Sequence, residues 1–140
     1  NLTLGKVYSD DVVQKALDIS QLTDVIKRLD LGLDTLVGKD GIKLSGGQRQ
    51  RVAIARMILA DPKVVIFDES TSALDVHTEE RLFGALQAFL AKKTVITIAH
   101  RLSTIKSAEF IYVLEEGVVV DSGTPKELLA KDESYFSSMV

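Results

Sequence analysis

A pentad, Leu44-Ser45-Gly46-Gly47-Gln48, is followed about twenty residues later by an apolar run that closes on two acids, Val64-Val65-Ile66-Phe67-Asp68-Glu69. Each part has a chemical use. Where a helix begins, its first N–H groups lack intrahelical partners and the dipole end is positive, so the place attracts anions. Ser45 with Gln48 three residues on is a capping box that predicts such a start, and Gly46 and Gly47 let another molecule's phosphates reach the backbone. Asp68, at the end of an expected strand, is placed to hold Mg2+ directly or through water, and Glu69 beyond it to orient and polarise an attacking water. His100 closes a second strand-like stretch, Thr94-Val95-Ile96-Thr97-Ile98-Ala99, where open α/β sheets place ligands, and reads as a γ-phosphate contact. Taken singly, Ser-Gly-Gly reads as an ordinary capped helix, Asp-Glu as a solvated loop start and a lone histidine as structural. Their conjunction in this order points to nucleotide chemistry.

The same 140 residues contain no G-x-x-x-x-G-K-[ST] loop, the element whose N–H groups and lysine grip phosphates in sites of this kind. The expectation is therefore half of an ATP site. Each lost charge-assisted phosphate hydrogen bond costs roughly 1.5–3 kcal/mol, which predicts weak ATP binding and no hydrolysis by the chain alone. The first residue is Asn1, and residues 1–9 lack the basic start and apolar stretch of a signal peptide, so the chain reads as beginning mid-protein.

Bulk composition narrows the class. A chain of this length suits one domain, and 46% hydrophobic against 26% charged residues is a globular, rather apolar balance. Net charge −3 with only 6% aromatic residues argues against a nucleic-acid binder, which needs a basic face and stacking side chains. With no cysteine there is no disulfide framework or thiolate zinc site, which fits a reducing compartment. The apolar runs fall far short of the ~20 residues that span a bilayer.

Elements must position the pentad and the acids. Apolar residues from Val12 to Leu29 recur at helical spacing with a break at Ser20, predicting two short helices over 10–29, and 34–43 reads as an irregular loop. The capped helix should run from Ser45 to about Ala60, stopped by Asp61-Pro62. The run 64–67 predicts a fully buried parallel strand, 78–90 a helix and 94–99 a second strand, joined as a right-handed crossover. Residues 110–114 and 118–121 flank Glu115-Glu116-Gly117 as a hairpin, and Thr124-Pro125-Lys126-Glu127 opens another helix with a second capping box. Tyr135, Phe136 and Met139 suggest a last helix docking on the core, or equally a surface buried against a missing partner. Arg49, Arg51 and Arg56 read as a solvated face or ion pairs with Asp/Glu, with phosphate contact a minority reading, and His77 as surface.

Leu44 to Gln48, Val64 to Glu69, Ser72-Ala73-Leu74-Asp75 and His100 together resemble, in order and over nearly the whole chain, the nucleotide-binding domain of ATP-binding cassette (ABC) transporters. The resemblance makes Leu44, Ser45, Gly46, Gly47 and Gln48 the ABC signature, Asp68 the Walker B metal-holding acid, Glu69 the catalytic glutamate, Asp75 part of the D-loop and His100 the switch histidine. It implies an α/β fold: a partial P-loop NTPase (RecA-like) parallel sheet with part of the ABC helical subdomain. Residues 9–61 would form the helical subdomain and signature helix, and 62–140 Walker B, D-loop, H-switch and the C-terminal part of the core. Asp68-Glu69-Ser70-Thr71 and His100-Arg101-Leu102-Ser103 look like exporters. Val37-Gly38-Lys39-Asp40-Gly41 resembles the exporter loop that meets the membrane domain's coupling helices, with Lys39 where an acid is usual.

The implied cofactors are ATP and Mg2+. The implied partners are a second nucleotide-binding domain packed head to tail, a transmembrane domain fused or separate, and the P-loop half, with an apolar sheet face and edge left open for the last. The implied place is the cytoplasmic side of a membrane. Two other readings stay open: a chromosome-maintenance or repair ATPase head, which shares the signature and Walker B, and a non-catalytic module that donates residues 45–48 to a partner's ATP.

Overall fold

The computed structural model describes residues 2–39, 41–68, 74–98, 105 and 107–131. Glu69, Ser72, Ala73, His100 and the expected last helix around Tyr135 lie outside the described residues. The chain divides into two units, Asn1–Thr97 and Ile98–Val140.

The first unit is organised on one helix. The two short helices expected near the start are α1 (Asp10–Ile19) and α2 (Thr23–Lys27), with Ser20 as the C-cap of α1. Ser20 is fully buried, and its hydroxyl donates to the Leu17 carbonyl at 3.2 Å, so the chain turns there without an orphaned polar group. A short 3₁₀ turn, Gly32–Asp34, leads into a loop closed by a bridge between Val37 and Ile42. Gly41 is required in that loop, because a Cβ there would sit 2.1 Å from the Leu36 carbonyl oxygen.

Helix α3 (Gly46–Ala60) follows and ends at Asp61, whose backbone is left-handed (φ 46°) just before Pro62. Its two buried sides hold the unit together. Ala55, with half-buried Val52, packs on Leu17 and Leu22 of the α1–α2 pair, while Ile54, Met57 and Ile58 pack on Leu82, Leu86, Phe89 and Leu90 of helix α4 (Val76–Leu90). Helix α4 begins two residues earlier than its hydrophobic spacing indicates, because Asp75 caps it through the Thr78 N–H at 2.9 Å.

Strands β1 (Val64–Asp68) and β2 (Thr94–Ile98), connected through α4, pair as a small parallel sheet. The expectation of a fully buried β1 is corrected. Val65 and Phe67 are buried, Phe67 edge-on to Phe83 of α4 with centroids 5.8 Å apart, but Val64 and Ile66 are 51% and 64% exposed. All of β2 is exposed. The strand is apolar on both faces, yet the described helices cover only one.

In the second unit, β3 (Ile111–Glu115) and β4 (Val118–Gly123) form the expected antiparallel hairpin, with a register shift between Val113 and Leu114. Glu116 and Gly117 both have positive φ, 48° and 80°, as a two-residue hairpin turn requires. Helix α5 (Pro125–Leu129) starts with the second capping box: Thr124 Oγ1 accepts from the Glu127 N–H, and the Glu127 carboxylate accepts from the Thr124 N–H at 2.8 Å. Leu128 is fully buried against this hairpin and helix corner.

These packing differences predict unequal mutational costs. Leu86→Ala, at a fully buried site, should lose ~2–5 kcal/mol in urea unfolding followed by circular dichroism. Ile66→Ala on the open sheet face should stay within ~0.5 kcal/mol.

Candidate functional site

The reciprocal cap anticipated at residue 45 is present. Ser45 Oγ accepts from the Gln48 N–H at 3.2 Å, and Gln48 Oε1 accepts from the Ser45 N–H at 2.8 Å. The cap occupies one lone pair of the Ser45 hydroxyl and leaves its proton free to donate elsewhere. Gly46 and Gly47 hold the first two helical positions, whose N–H groups have no partner within the helix. A phosphate oxygen arriving there meets two N–H donors, one O–H donor and the positive end of a 15-residue helix. Arg49 fixes the approach to this turn by donating from Nη1 to the Leu44 carbonyl at 2.7 Å. Leu44, Ser45, Gly46, Gly47 and Gln48 are thus brought together as one helix start.

Asp75 is the N-cap of α4. The Thr78 hydroxyl first, and the Thr78 N–H second, hold its carboxyl below the usual aspartate range, with His77 adding a favourable positive charge. His77 is exposed, as its place on the polar first turn predicts. Gln48 of α3 and Thr78 of α4 line the same cleft, of about 280 Å³, so the two capped helix starts border one concavity. Asp68 stands at the exposed carboxyl end of β1 and is not among the residues lining that cleft. Among the described residues no three His, Cys, Asp or Glu side chains gather as a metal cage. A single strand-end carboxylate fits Mg2+, which is commonly held by one or two carboxylates, waters and the phosphates of its nucleotide. Glu69 and His100 lie outside the described residues.

Several positioning residues escaped the sequence reading. Arg51 is in no ion pair among the described residues; its Nη1 donates to the Gln21 carbonyl at 2.7 Å, thirty positions away in sequence. Arg81 of α4 donates to Gln21 Oε1 at 3.0 Å, so one residue with left-handed backbone (φ 58°) ties α3 to α4. Lys93 bonds Asp61 Oδ1 at 2.6 Å and the Pro62 carbonyl at 2.9 Å and lies 4.3 Å over the Phe89 ring. The unusual φ of Gln21 has no sequence marker, since glycine or asparagine is the common signal there.

The model of the family described as ABC transporter matches residues 4–72, a stretch that includes the pentad and Asp68. Residues 4–72 thus carry part of an ABC transporter domain. The chain is 47% identical over 131 residues to the ATP-dependent lipid A-core flippase of Vibrio vulnificus, covering 94% of this chain and 22% of the flippase. It is 50% identical over 123 residues to the flippase of that name from Ralstonia nicotianae, covering 88% of this chain and 21% of the relative. Identity to the mitochondrial iron-sulfur clusters transporter ATM1 of Candida glabrata is 44% over 142 residues, 99% of this chain and 20% of that protein. Among solved structures, a bacterial Atm1-family ABC exporter with ATP bound superposes with a TM-score of 0.87 at 40% identity, over 99% of this chain and 24% of that one. The chain therefore spans about a fifth of the length of the curated relatives it matches. Its fold is the α/β one expected, a partial ABC P-loop NTPase domain. Among its described residues no helix is long and apolar enough to cross a membrane.

The Asp75 cap carries a pH signature. Its folded pKa lies below the ordinary aspartate value, so its contribution is fully present above the unfolded value and lost as pH falls through the folded one. The stability gap between the native chain and Asp75→Ala should stay constant from neutral pH down to about pH 5 and narrow below 3.8, in urea titrations across that range.

Proposed function

We propose that this chain supplies the signature motif, Walker B acid, catalytic glutamate and switch histidine of an ABC exporter's ATPase, whose hydrolysis of ATP drives export across a membrane. The observation that carries the reading is the glycine-bearing, reciprocally capped start of α3, in a chain whose residues 4–72 match the ABC transporter family and whose relatives include a flippase and mitochondrial and bacterial exporters.

On this reading residues 9–61 are the helical subdomain and signature helix, and 62–140 the remainder of the core. Ser45 O–H and the Gly46 and Gly47 N–H groups bind the γ-phosphate of an ATP seated on a second nucleotide-binding domain, with Leu44 and Gln48 holding the turn in shape. Asp75, from the D-loop, meets the opposite domain beside the same nucleotide. Asp68 would hold the Mg2+ of this domain's own ATP, and that ion would supply charge neutralisation during phosphoryl transfer. Glu69 orients the attacking water and takes up its proton as the P–O bond to the leaving diphosphate breaks. His100 steadies the γ-phosphate from the neighbouring strand end. The 140 residues contain no G-x-x-x-x-G-K-[ST] loop, so a P-loop half completes the site. The uncovered apolar residues of β1 and β2, with Val64, Ile66, Val95 and Ile96 all at least 39% exposed, are where that half would pack. A transmembrane domain, fused or separate, completes the exporter and places this chain on the cytoplasmic side.

Calorimetric titration of Mg-ATP separates the alternatives. The chain alone should show no saturable heat, and binding should appear when a separately made P-loop half is added. Saturable binding by the chain alone would mean that another phosphate cradle exists within these residues. In the complete exporter, Glu69→Gln should lower ATP turnover by ~10²–10⁴ while leaving nucleotide binding intact.

A further inference from the structure

The cleft beside the signature helix has an electrostatic character that the proposed ATPase does not use. It is lined by Arg28 from the end of α2, Arg51 of α3 and Arg81 of α4, against one carboxylate, Asp24. Gln21, Gln48 and Thr78 add neutral hydrogen-bonding groups, and Val25 the apolar wall. The lining therefore carries three positive charges and one negative. Arg51 and Arg81 spend hydrogen bonds on Gln21, but to its carbonyl and its amide oxygen, which orient a guanidinium without neutralising it. The Arg28 backbone N–H closes α2 on the Val25 carbonyl at 3.2 Å, and its exposed guanidinium lines the cleft. Asp24 lies one helical turn from Arg28 yet forms no ion pair with it within 4.0 Å.

Three forked donors on three separate helices, two of them held in place by a common residue, make a preorganised cation cluster. A volume of about 280 Å³ admits a compact anion and hydration water. A surplus of two positive charges matches a phosphate monoester, which carries about −1.5 to −2 at neutral pH with three acceptor oxygens. Arginine forks suit that geometry better than ammonium groups do.

We propose that the cleft between α2, α3 and α4 is an anion site, separate from the ATP-facing start of α3, that takes a phosphate monoester group on Arg28, Arg51 and Arg81. Such a group comes either from a small soluble phosphate or from a lipid headgroup, and both present the same oxygens. Because Gln48 belongs to both the cleft and the capped turn, occupancy presses on the signature helix where its cap is made.

The test uses the 140-residue chain at fixed ionic strength, reading arginine Nε–Hε cross-peaks by NMR during titration with inorganic phosphate, and in parallel co-sedimentation with phosphatidic acid vesicles against phosphatidylcholine vesicles. Saturable shifts of the Arg28 and Arg81 signals are expected, weakened ~10-fold in Arg28→Gln/Arg81→Gln and less in Arg28→Lys/Arg81→Lys, which keeps the charge but loses the fork. Both positions are exposed and Arg81 gives up a single exposed hydrogen bond to Gln21, so both double variants should keep the native circular dichroism spectrum, with a melt lowered by no more than a few degrees. Binding to free phosphate identifies a soluble source. Binding to phosphatidic acid vesicles only, lost in the glutamine variant, identifies a headgroup. Absence of saturable binding in both arms, binding indifferent to the glutamine variant, or displacement of phosphate by hexaglutamate at lower concentration would each overturn the proposal. None of these readouts involves ATP, so the result stands apart from the ATPase reading.

Discussion

The structure of the first unit depends on where α3 begins. A helix start leaves several N–H groups without partners, and the reciprocal Ser45–Gln48 bonds settle two donors at once while leaving those of Gly46 and Gly47 open. Fixing that first turn fixes the angular phase of everything after it. Ala55 and Val52 then face α1 and α2, and Ile54, Met57 and Ile58 face α4. Had the helix begun one residue later at a different φ, two packed faces would compete for one set of side chains. The donors offered to an anion and the core that holds them are consequences of the same two hydrogen bonds.

Burial is distributed unevenly around this helix. The side packed by α1, α2 and α4 is closed, while beyond α4 only alternate residues of β1 are covered and β2 has none. A strand apolar at every position loses hydrophobic stabilisation on whichever face stays wet, about 25 cal/mol per Å². The hairpin of the second unit shows a comparable surplus: Phe110 and Tyr112 meet at a 55° tilt with centroids 5.1 Å apart while both remain at least half exposed, and Leu114, Val118 and Val119 are also exposed. Contiguous apolar surface of this kind is what interfaces are made from.

Much of this was legible in the sequence because the signals are local. A capping box needs only two residues three apart, which is why Ser45–Gln48 and Thr124–Glu127 could both be read directly, and Asp61-Pro62 ends a helix through the geometry of one ring. The hairpin turn at Glu116-Gly117 is local in the same sense. The start of α4 was placed late because hydrophobic spacing begins only where side chains face the core, whereas Asp75 acts through one polar contact before it. The covered and open faces of β1 were not legible, since a continuous apolar run does not say which of its faces meets a neighbour. Arg51 looked like a solvated cation because its partner is a backbone carbonyl thirty positions earlier, and carbonyls leave no trace in residue type. The pentad was the plainest feature of all, since its Ser45–Gln48 cap is dictated by the backbone geometry of a helix start.

The far end of α3 shows how that start is tied to the strand bearing Asp68. Only Asp61-Pro62-Lys63 separates the helix from β1, and the left-handed Asp61 turns the chain there. Lys93, its side chain 10% exposed, reaches from the α4–β2 turn to bond both the Asp61 carboxylate and the Pro62 carbonyl, and its ammonium sits over Phe89. The Asp61 side chain is 76% exposed, so solvent screening reduces the ionic part to the small value usual for surface pairs. The geometric part remains. The ammonium is held by a carboxylate, a carbonyl and a ring from three directions, and the Lys63 carbonyl accepts the Thr94 N–H at 3.0 Å, which starts the pairing of β2 with β1. A displacement of α3 along its axis therefore cannot be absorbed in a slack loop. It must pass into β1 or break this clamp, so the anion-facing turn at one end and the acid at the other belong to a single mechanical element.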